Sequence, residues 1–236
     1  MICRQQSIYE KYVKRILDFF IALIILLLFW WLYSIIAIVV RINMGSPVIF
    51  KQPRPGMINP DTGEEKIFNL YKFRTMTDGR DSEGNLLPDA ERMTAFGTML
   101  RRSSLDEIPE VFNILMGDMS FIGPRPQLVR DMVFMSEDQR LRHTAKPGLS
   151  GLAQVMGRNA ISWEKKFEWD LKYIEHVSFT GDLKIIFMTI AKVFGKGESD
   201  EELDVTLDFG DYLLQEGKVS QEEYERLMEK ARGMVH

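Results

Sequence analysis

Past a short mixed leader the chain turns apolar and stays so: residues Phe19 to Val40 read FFIALIILLLFWWLYSIIAIVV and carry no charge. A helix needs about 20 apolar residues to cross a bilayer, so this run is long enough. It exceeds the apolar core of a secretory signal, and RINMGSPVIF follows in place of a small-residue cleavage site, so no cleavage is expected. Burial as the core helix of a soluble domain is the competing use of such a run. Basic residues flank both ends, Arg4, Lys11, Lys14 and Arg15 before it and Arg41, Lys51 and Arg54 after it. A simple span would leave one cluster on the wrong side of the membrane, whereas a re-entrant segment keeps both on one face. The run has no Gly or Pro at which to turn, but Ser34 can bond back to the Trp30 carbonyl and bend a helix. The expectation is an N-terminal membrane helix, re-entrant or else spanning.

From Asn43 onward the pattern is mixed. SPVIFKQPRPG and EKIFNLYKFRTM read as two strands joined by MINPDTGE, a small β-hairpin. DGRDSEGNLLPD is a loop of turn formers, and Ala90–Arg102 and Ile108–Met116 have helical spacing. GDMSFIGPRP reads as irregular, RDMVFMSEDQRLRHT as helical, KPGLSGLAQVMGRNAISW as a loop with a short strand-like run, and WEKKFEWDLKYIEHV as a charged helix. Leu183–Phe194 is apolar, too short to span, and punctuated by Lys184, Lys192 and Lys196; an interfacial helix and a packed core helix are equally good readings. An acidic run, Glu198–Asp204, leads to a capping-box-like start at Ser220 and a solvated helix, read as a surface or partner-binding tail. The fold class predicted is α+β and mostly helical, with interfacial helices around a compact catalytic domain. The linear partition is residues 1–42 for the membrane-associated helix, 43–197 for the catalytic domain and 198–236 for the tail.

Composition narrows the chemistry. With 236 residues, a net charge of -4 and 45% hydrophobic residues, the chain holds one membrane segment and one domain with a real core, and nothing in it suggests nucleic-acid binding. Cys3 is the one cysteine, so there is no intramolecular disulfide and no cysteine-rich metal site; the three histidines form no H-x-x-x-H pair. Any metal must then be held by oxygen ligands.

The segment LRRSSLDEIPEVFNILMGDMSFIGPRP, Leu100 to Pro126, concentrates the candidate chemistry. Ser104-Leu105-Asp106-Glu107 fits the S-x-x-E capping box, and Leu105, Ile108, Phe112 and Leu115 would form a buried helix face. Pro109 disturbs that reading, because it falls just beyond the positions where a missing N–H costs nothing. A helix starting nearer Ile108 would leave Asp106 and Glu107 exposed at its mouth. Lys72 and Arg74 alternate on one strand face, while Arg101, Arg125 and Arg158 lie in or beside irregular segments. Arginines so placed suit bidentate phosphate recognition, although a single arginine is more often a surface ion-pair partner. A carboxylate near such cations stays ionised, and can bind Mg²⁺ or attack phosphorus.

The blocks KRILDF, GSPVIFKQPRPG, FNLYKFRTM, LRRSSLDEIPEVFNILMGDMSFIGPRP, RHTAKPGLSGLAQVMGRNAISWEKKFEWDLKYI and DLKIIFMTIAKV, taken in order, resemble the bacterial sugar transferases, the monotopic phosphoglycosyl transferases of PglC-like type. The resemblance is collinear from Lys14 to Val193. It implies transfer of a phospho-sugar from a UDP-sugar to undecaprenyl phosphate with release of UMP, the first membrane step of bacterial glycoconjugate synthesis. It also implies Asp106 as nucleophile and Mg²⁺ ligand, forming a covalent phospho-sugar enzyme, and Glu107 as base or positioning group. Arg125 would contact nucleotide or phosphate, and Lys72 and Arg101 match further basic positions of the family's site. The implied location is the bacterial inner membrane, with the catalytic domain on the cytoplasmic face, in contact with membrane lipid; oligomerisation is left open. Where the family has a Ser-Pro break in its membrane helix, this chain has Trp30-Trp31. Two other functions compete. One is a membrane-bound glycosyltransferase releasing UDP, a class that often carries a D-x-D motif absent from this sequence. The other is a non-catalytic scaffold of a glycan assembly complex.

Overall fold

The structure, a computed structural model, describes residues 4–157, 161–194 and 207–235. A π-helical turn (Tyr9–Val13) leads into α1 (Lys14–Met44), β1 (Ile49–Ile58), β2 (Glu65–Phe73), α2 (Asp89–Arg92), α3 (Ala95–Arg102), a 3-10 turn (Leu105–Glu107) and α4 (Glu110–Met116). There follow β3 (Ser120–Ile122), α5 (Val129–Met132), α6 (Glu137–Arg140), a second 3-10 turn (Leu141–Thr144), β4 (Gly148–Ser150), α7 (Leu152–Met156), α8 (Trp163–Glu175), α9 (Phe179–Phe194), α10 (Phe209–Gln215) and α11 (Gln221–Val235). This is the mostly helical α+β composition that the pattern predicts, and β1 and β2 form the expected hairpin.

The chain gathers into two compact units, both discontinuous in sequence. One, the α1 unit, comprises Phe19–Gln52 and Asn69–Met116; the other, the α8 unit, comprises Met1–Asp18, Pro53–Phe68 and Gly117–His236.

In the α1 unit, Ile36, Val40 and Met44 recur every fourth residue and bury one stripe of α1 against Phe73 and Leu100. Tyr33 lies on the same side, its ring 4.9 Å from Phe73 and 5.4 Å from Phe112. The other faces of α1 expose Phe20, Leu27, Leu28, Trp30, Trp31 and Ile38, and only 11% of the most apolar stretch is buried. At 1.5 Å per residue the 31 residues of α1 extend about 46 Å, more than the ~30 Å hydrocarbon layer. The helix runs uninterrupted through Trp30-Trp31. Ser34 does bond back to the Trp30 carbonyl, at 2.9 Å, but the helical assignment continues past it. The helix expected over Ala90–Arg102 is divided, because Met93 and Thr94 are extended and Thr94 caps α3 by accepting from Gly97 N at 2.9 Å. Gly97 is required there: a Cβ would fall 1.9 Å from the Thr75 carbonyl oxygen.

In the α8 unit, GDMSFIGPRP contains a strand that the pattern did not indicate. β3 pairs in parallel with β4, Ser120 opposite Gly148 and Ile122 opposite Ser150. Ile122, Tyr173, Ile174, Val177 and Ile185 close the core over this pair. The expected single helix RDMVFMSEDQRLRHT is broken into α5, α6 and a 3-10 turn. α9 reconciles its two readings by dividing its faces: Ile185 is buried, while Phe179, Leu183, Phe187 and Ile190 are exposed. The chain after residue 206 is not the surface appendage expected from its charge. Phe209 is buried with Trp163, Phe167 and Met135, and Ala231 with Val129 and Met132. The acidic run Glu198–Asp204, Lys196 and Cys3 lie outside the described residues.

Candidate active site

The Asp106-Glu107 pair sits in the 3-10 turn between α3 and α4. Ser104 has φ 54° and ψ 17°, a left-handed conformation, and its side chain caps nothing. The capping box therefore does not form, and α4 starts at Glu110, directly after Pro109. Pro109 pre-sets the backbone for helix entry and loses no helical hydrogen bond. Contrary to the expectation of an exposed pair, Asp106 is buried, at 8% exposure, and Glu107 is partly buried.

Lys72, near the end of β2, reaches this turn. Its Nζ donates to Glu107 Oε1 at 2.6 Å and lies 3.4 Å from Glu110 Oε1. Glu110 is 2% exposed and occupies the first turn of α4, where a negative charge is favoured by the helix dipole. The register between strand and helix is fixed by Asn113, which is fully buried. Its Oδ1 accepts from Tyr71 N at 3.0 Å and its Nδ2 donates to Asn69 O at 2.7 Å, on the two residues flanking Leu70. Substitution there would free backbone groups in a buried setting. Glu110 and Asn113 were not singled out by sequence pattern. A signal existed for Glu110: it lies three residues after Glu107, and a lysine on a neighbouring strand can bridge carboxylates so spaced.

The other predicted residues have separate placements. Arg101 belongs to the same unit, and its Nε donates to Thr75 Oγ1 at 3.1 Å. Arg74 is an internal brace: Nε donates to Met76 O at 2.8 Å, Nη1 to Ser46 O at 2.9 Å, and Nη2 pairs with Asp78. It is 7% exposed, and these bonds aim its guanidinium at the backbone of its own unit. Arg158 lies outside the described residues.

Arg125 belongs to the α8 unit, on a loop whose backbone is held at successive points. Gly123 N donates to Ser150 O at 2.9 Å, and Gly148 N to Pro124 O at 3.0 Å. Arg142 Nη2 donates to the Arg125 carbonyl at 2.7 Å, and Arg54 Nη1 to that of Pro126 at 3.0 Å. Arg142 is 1% exposed and also bonds Asp170 Oδ2 through Nε at 2.9 Å and Nη2 at 2.6 Å. Gly123, Gly148 and Gly151 make this packing possible, since a Cβ on any of them would fall within 2.2 Å of backbone atoms. The GPRP loop is thus held rigidly by backbone and side-chain bonds.

Nearby in the same unit, Glu65 accepts from Arg140 Nε at 2.8 Å and Nη2 at 2.6 Å, and meets His143 Nδ1 at 3.0 Å. Burial would push the Glu65 carboxyl up, but the bonds to His143 and Arg140 outweigh it and bring it down to about 2. Burial brings the His143 imidazole down to about 4, against the pull of Glu65. His143 is thus neutral in the fold at neutral pH.

The bacterial sugar transferase model matches residues 9–196. The chain is 49% identical over 181 residues to the uncharacterized sugar transferase EpsL of Bacillus subtilis, covering 77% of this chain and 87% of that protein. It is 38% identical over 191 residues to the UDP-glucose:undecaprenyl-phosphate glucose-1-phosphate transferase of Klebsiella pneumoniae, covering 77% of this chain and 40% of that protein. It is 35% identical over 193 residues to the UDP-N-acetylgalactosamine-undecaprenyl-phosphate N-acetylgalactosaminephosphotransferase of Aeromonas hydrophila, covering 77% of this chain and 44% of that protein. The chain thus spans less than half the length of these last two relatives. It belongs to the bacterial sugar transferase family.

Proposed function

We propose that this protein transfers a phospho-sugar from a UDP-sugar to undecaprenyl phosphate at the bacterial inner membrane, its catalytic residues on the cytoplasmic face. The observation that carries the reading is the Asp106-Glu107 turn with Lys72 bound to Glu107, in a chain of this family. In the proposed reaction an Asp106 carboxylate oxygen attacks the sugar-bearing phosphorus of the UDP-sugar, and the bond to the bridging oxygen breaks to release UMP. A phosphate oxygen of undecaprenyl phosphate then attacks the same phosphorus, freeing Asp106 and leaving a polyprenyl-diphosphate-linked sugar. Glu107, held by Lys72, positions the acceptor or takes its proton. Phosphoryl transfer depends chiefly on positioning and charge neutralisation, which Lys72 and Arg101 of the same unit can supply, and the family resemblance proposes Arg125 as a contact for nucleotide or phosphate.

The donor set suits Mg²⁺. Among the described residues no three His, Cys, Asp or Glu side chains gather into a metal cluster, and Mg²⁺ commonly takes one or two carboxylates, with phosphate oxygens and water as the remaining ligands. Asp106 would hold it, and when bound it would neutralise charge on the diphosphate. The names of the Klebsiella and Aeromonas relatives support the donor and acceptor classes, and the exposed apolar surface of α1 supports the location.

The full chain in detergent, given undecaprenyl phosphate and a panel of UDP-sugars, should release UMP with at least one of them. EDTA should stop the release and Mg²⁺ restore it. Release of UDP instead would favour a glycosyltransferase, and no nucleotide release from any donor would favour a scaffold.

A further inference from the structure

Lys72 meets two carboxylates, and they differ in access. Its Nζ lies 2.6 Å from Glu107 Oε1 and 3.4 Å from Glu110 Oε1. The Glu107 side chain keeps 18% exposure and that of Glu110 keeps 3%, so a ligand can compete for the first and not for the second. Both carboxylates face β2 because of their spacing. Glu107 ends the 3-10 turn and Glu110 begins α4 three residues later, and residues three apart share a side of either kind of helix. The α4 face that carries Glu110 is itself fixed to the strand that carries Lys72. Asn113, three residues further along α4 and fully buried, bonds Tyr71 N at 3.0 Å and Asn69 O at 2.7 Å. One helix face thus grips β2 twice, at the backbone through Asn113 and at the Lys72 ammonium through Glu110.

A lysine carries its charge on a flexible four-carbon stem and turns its three donors to whatever partner is near. Were Glu107 its single anchor, any group that engaged Glu107 would also release the ammonium. A buried carboxylate on a helix clamped to the same strand does not leave with Glu107. Burying a carboxylate is costly without a cation beside it, so Glu110 and the Lys72 ammonium stabilise each other.

We infer that Glu110 is a positioning residue of the proposed site: it holds the Lys72 ammonium in place while Glu107 exchanges between Lys72 and substrate. Glu110 is the fixed partner of the three and Glu107 the exchangeable one. The catalytic purpose of this hold rests on the proposed transfer reaction, whereas the hold itself does not.

Two measurements on the full chain in a non-ionic detergent test it. The first needs no turnover: site-resolved amine labelling without substrate, read by mass spectrometry. In Glu107→Gln the labelling rate of Lys72 should rise less than about threefold, because Glu110 keeps its hold. Adding Glu110→Gln to that variant should raise the rate about tenfold more, while Lys165, exposed on α8, labels as before. No further rise at Lys72, or an equal rise at Lys165, would overturn the hold. The second is steady-state kinetics of single variants. Glu110→Gln keeps the shape and loses the charge; Glu110→Asp keeps the charge and loses a methylene. In Glu110→Gln, kcat should fall about tenfold with KM for the UDP-sugar within about twofold, and Glu110→Asp should keep more activity than Glu110→Gln. Equal activity, or Gln above Asp, is what a packing role alone would give and would overturn the assignment. This order decides the matter if the double variant fails to fold. Labelling as expected in a chain that releases no UMP would support the hold and count against the transfer reaction instead.

Discussion

Two charge clusters in this molecule each join a basic side chain to acidic ones, but in different settings. In the α1 unit Lys72 joins Glu107 and Glu110, and the Lys72 and Glu107 side chains keep 17% and 18% exposure. In the α8 unit Arg142 and Asp170 keep 1% and 3%, and the arginine also donates to the Arg125 carbonyl. The second cluster is structure: its two charges pair with one another and the arginine also holds a loop carbonyl, with only its buried Nη1 left without a hydrogen-bond partner among the described residues. The first is left in partial contact with solvent, where a substrate can compete for it. What separates the proposed reactive ion pair from the structural one is access and the supply of other partners, which the sign of the charges does not report.

Breaking each cluster should therefore cost different things. The largest effect is expected from Asp106→Asn, which keeps shape but removes the proposed nucleophile; turnover should fall by about three orders of magnitude or more, with an unchanged thermal midpoint, measured by nucleotide release and calorimetry. Next is Arg142→Ala. Burial already pushes the Asp170 carboxyl up, and removing its partner leaves it uncompensated, so stability should fall by about 3–5 kcal/mol in chemical denaturation. Lys72→Gln should reverse that balance, lowering kcat/KM about a hundredfold while costing about 1–2 kcal/mol of stability. If Lys72→Gln unfolds the chain while Arg142→Ala leaves it stable, the contrast between the clusters is wrong.

The smallest effect concerns pH. The His143 imidazole is at about 4 in the fold against an ordinary 6.5, so its contribution is complete above 6.5 and is lost as pH falls toward 4. Glu65, at about 2 against 4.5, adds a second loss below 4.5. Asp131 works oppositely: burial raises it to about 6, so its contribution is complete below 3.8 and fades as pH rises through 6. Asp131 and Asp170, both raised by burial, oppose the His143 loss in the same window, so the signature is a difference from wild type: His143→Gln should lack the loss of stability that His143 contributes between pH 6.5 and 4.

The hairpin, α8, α9 and the apolar extent of α1 were legible because each has a sustained period, of two or of 3.6 residues. β3 was not, since three residues carry no period; the segment holding β4 showed a short strand-like run, but not its parallel pairing, which joins Ser120 to Gly148, far apart in sequence. The glycines at 123, 148 and 151 mark the close approach, but only the fold says which backbone they approach. Asp106 and Glu107 were singled out as candidates through the family blocks, against a local pattern that favoured a capping box. That pattern failed because Ser104 is left-handed, a backbone state that the serine's identity does not announce. Arg74 shares an alternation with Lys72 yet braces Met76, Ser46 and Asp78, because the strand ends at Phe73 and the face relation ends with it. The tail was misread for a similar reason: its charged residues hide the single apolar anchors, Phe209 and Ala231, that seat it.

The central claim, that Asp106 carries the phospho-sugar, is tested most directly by trapping. Wild-type chain is incubated with Mg²⁺ and a UDP-sugar that supports turnover, radiolabelled in the sugar, without undecaprenyl phosphate; it is then digested and the labelled peptide sequenced. The account predicts label on the peptide containing Asp106, acid-quenched and chased off by undecaprenyl phosphate. An enzyme that turns over fully while holding no label, or holding it on another residue, would contradict it.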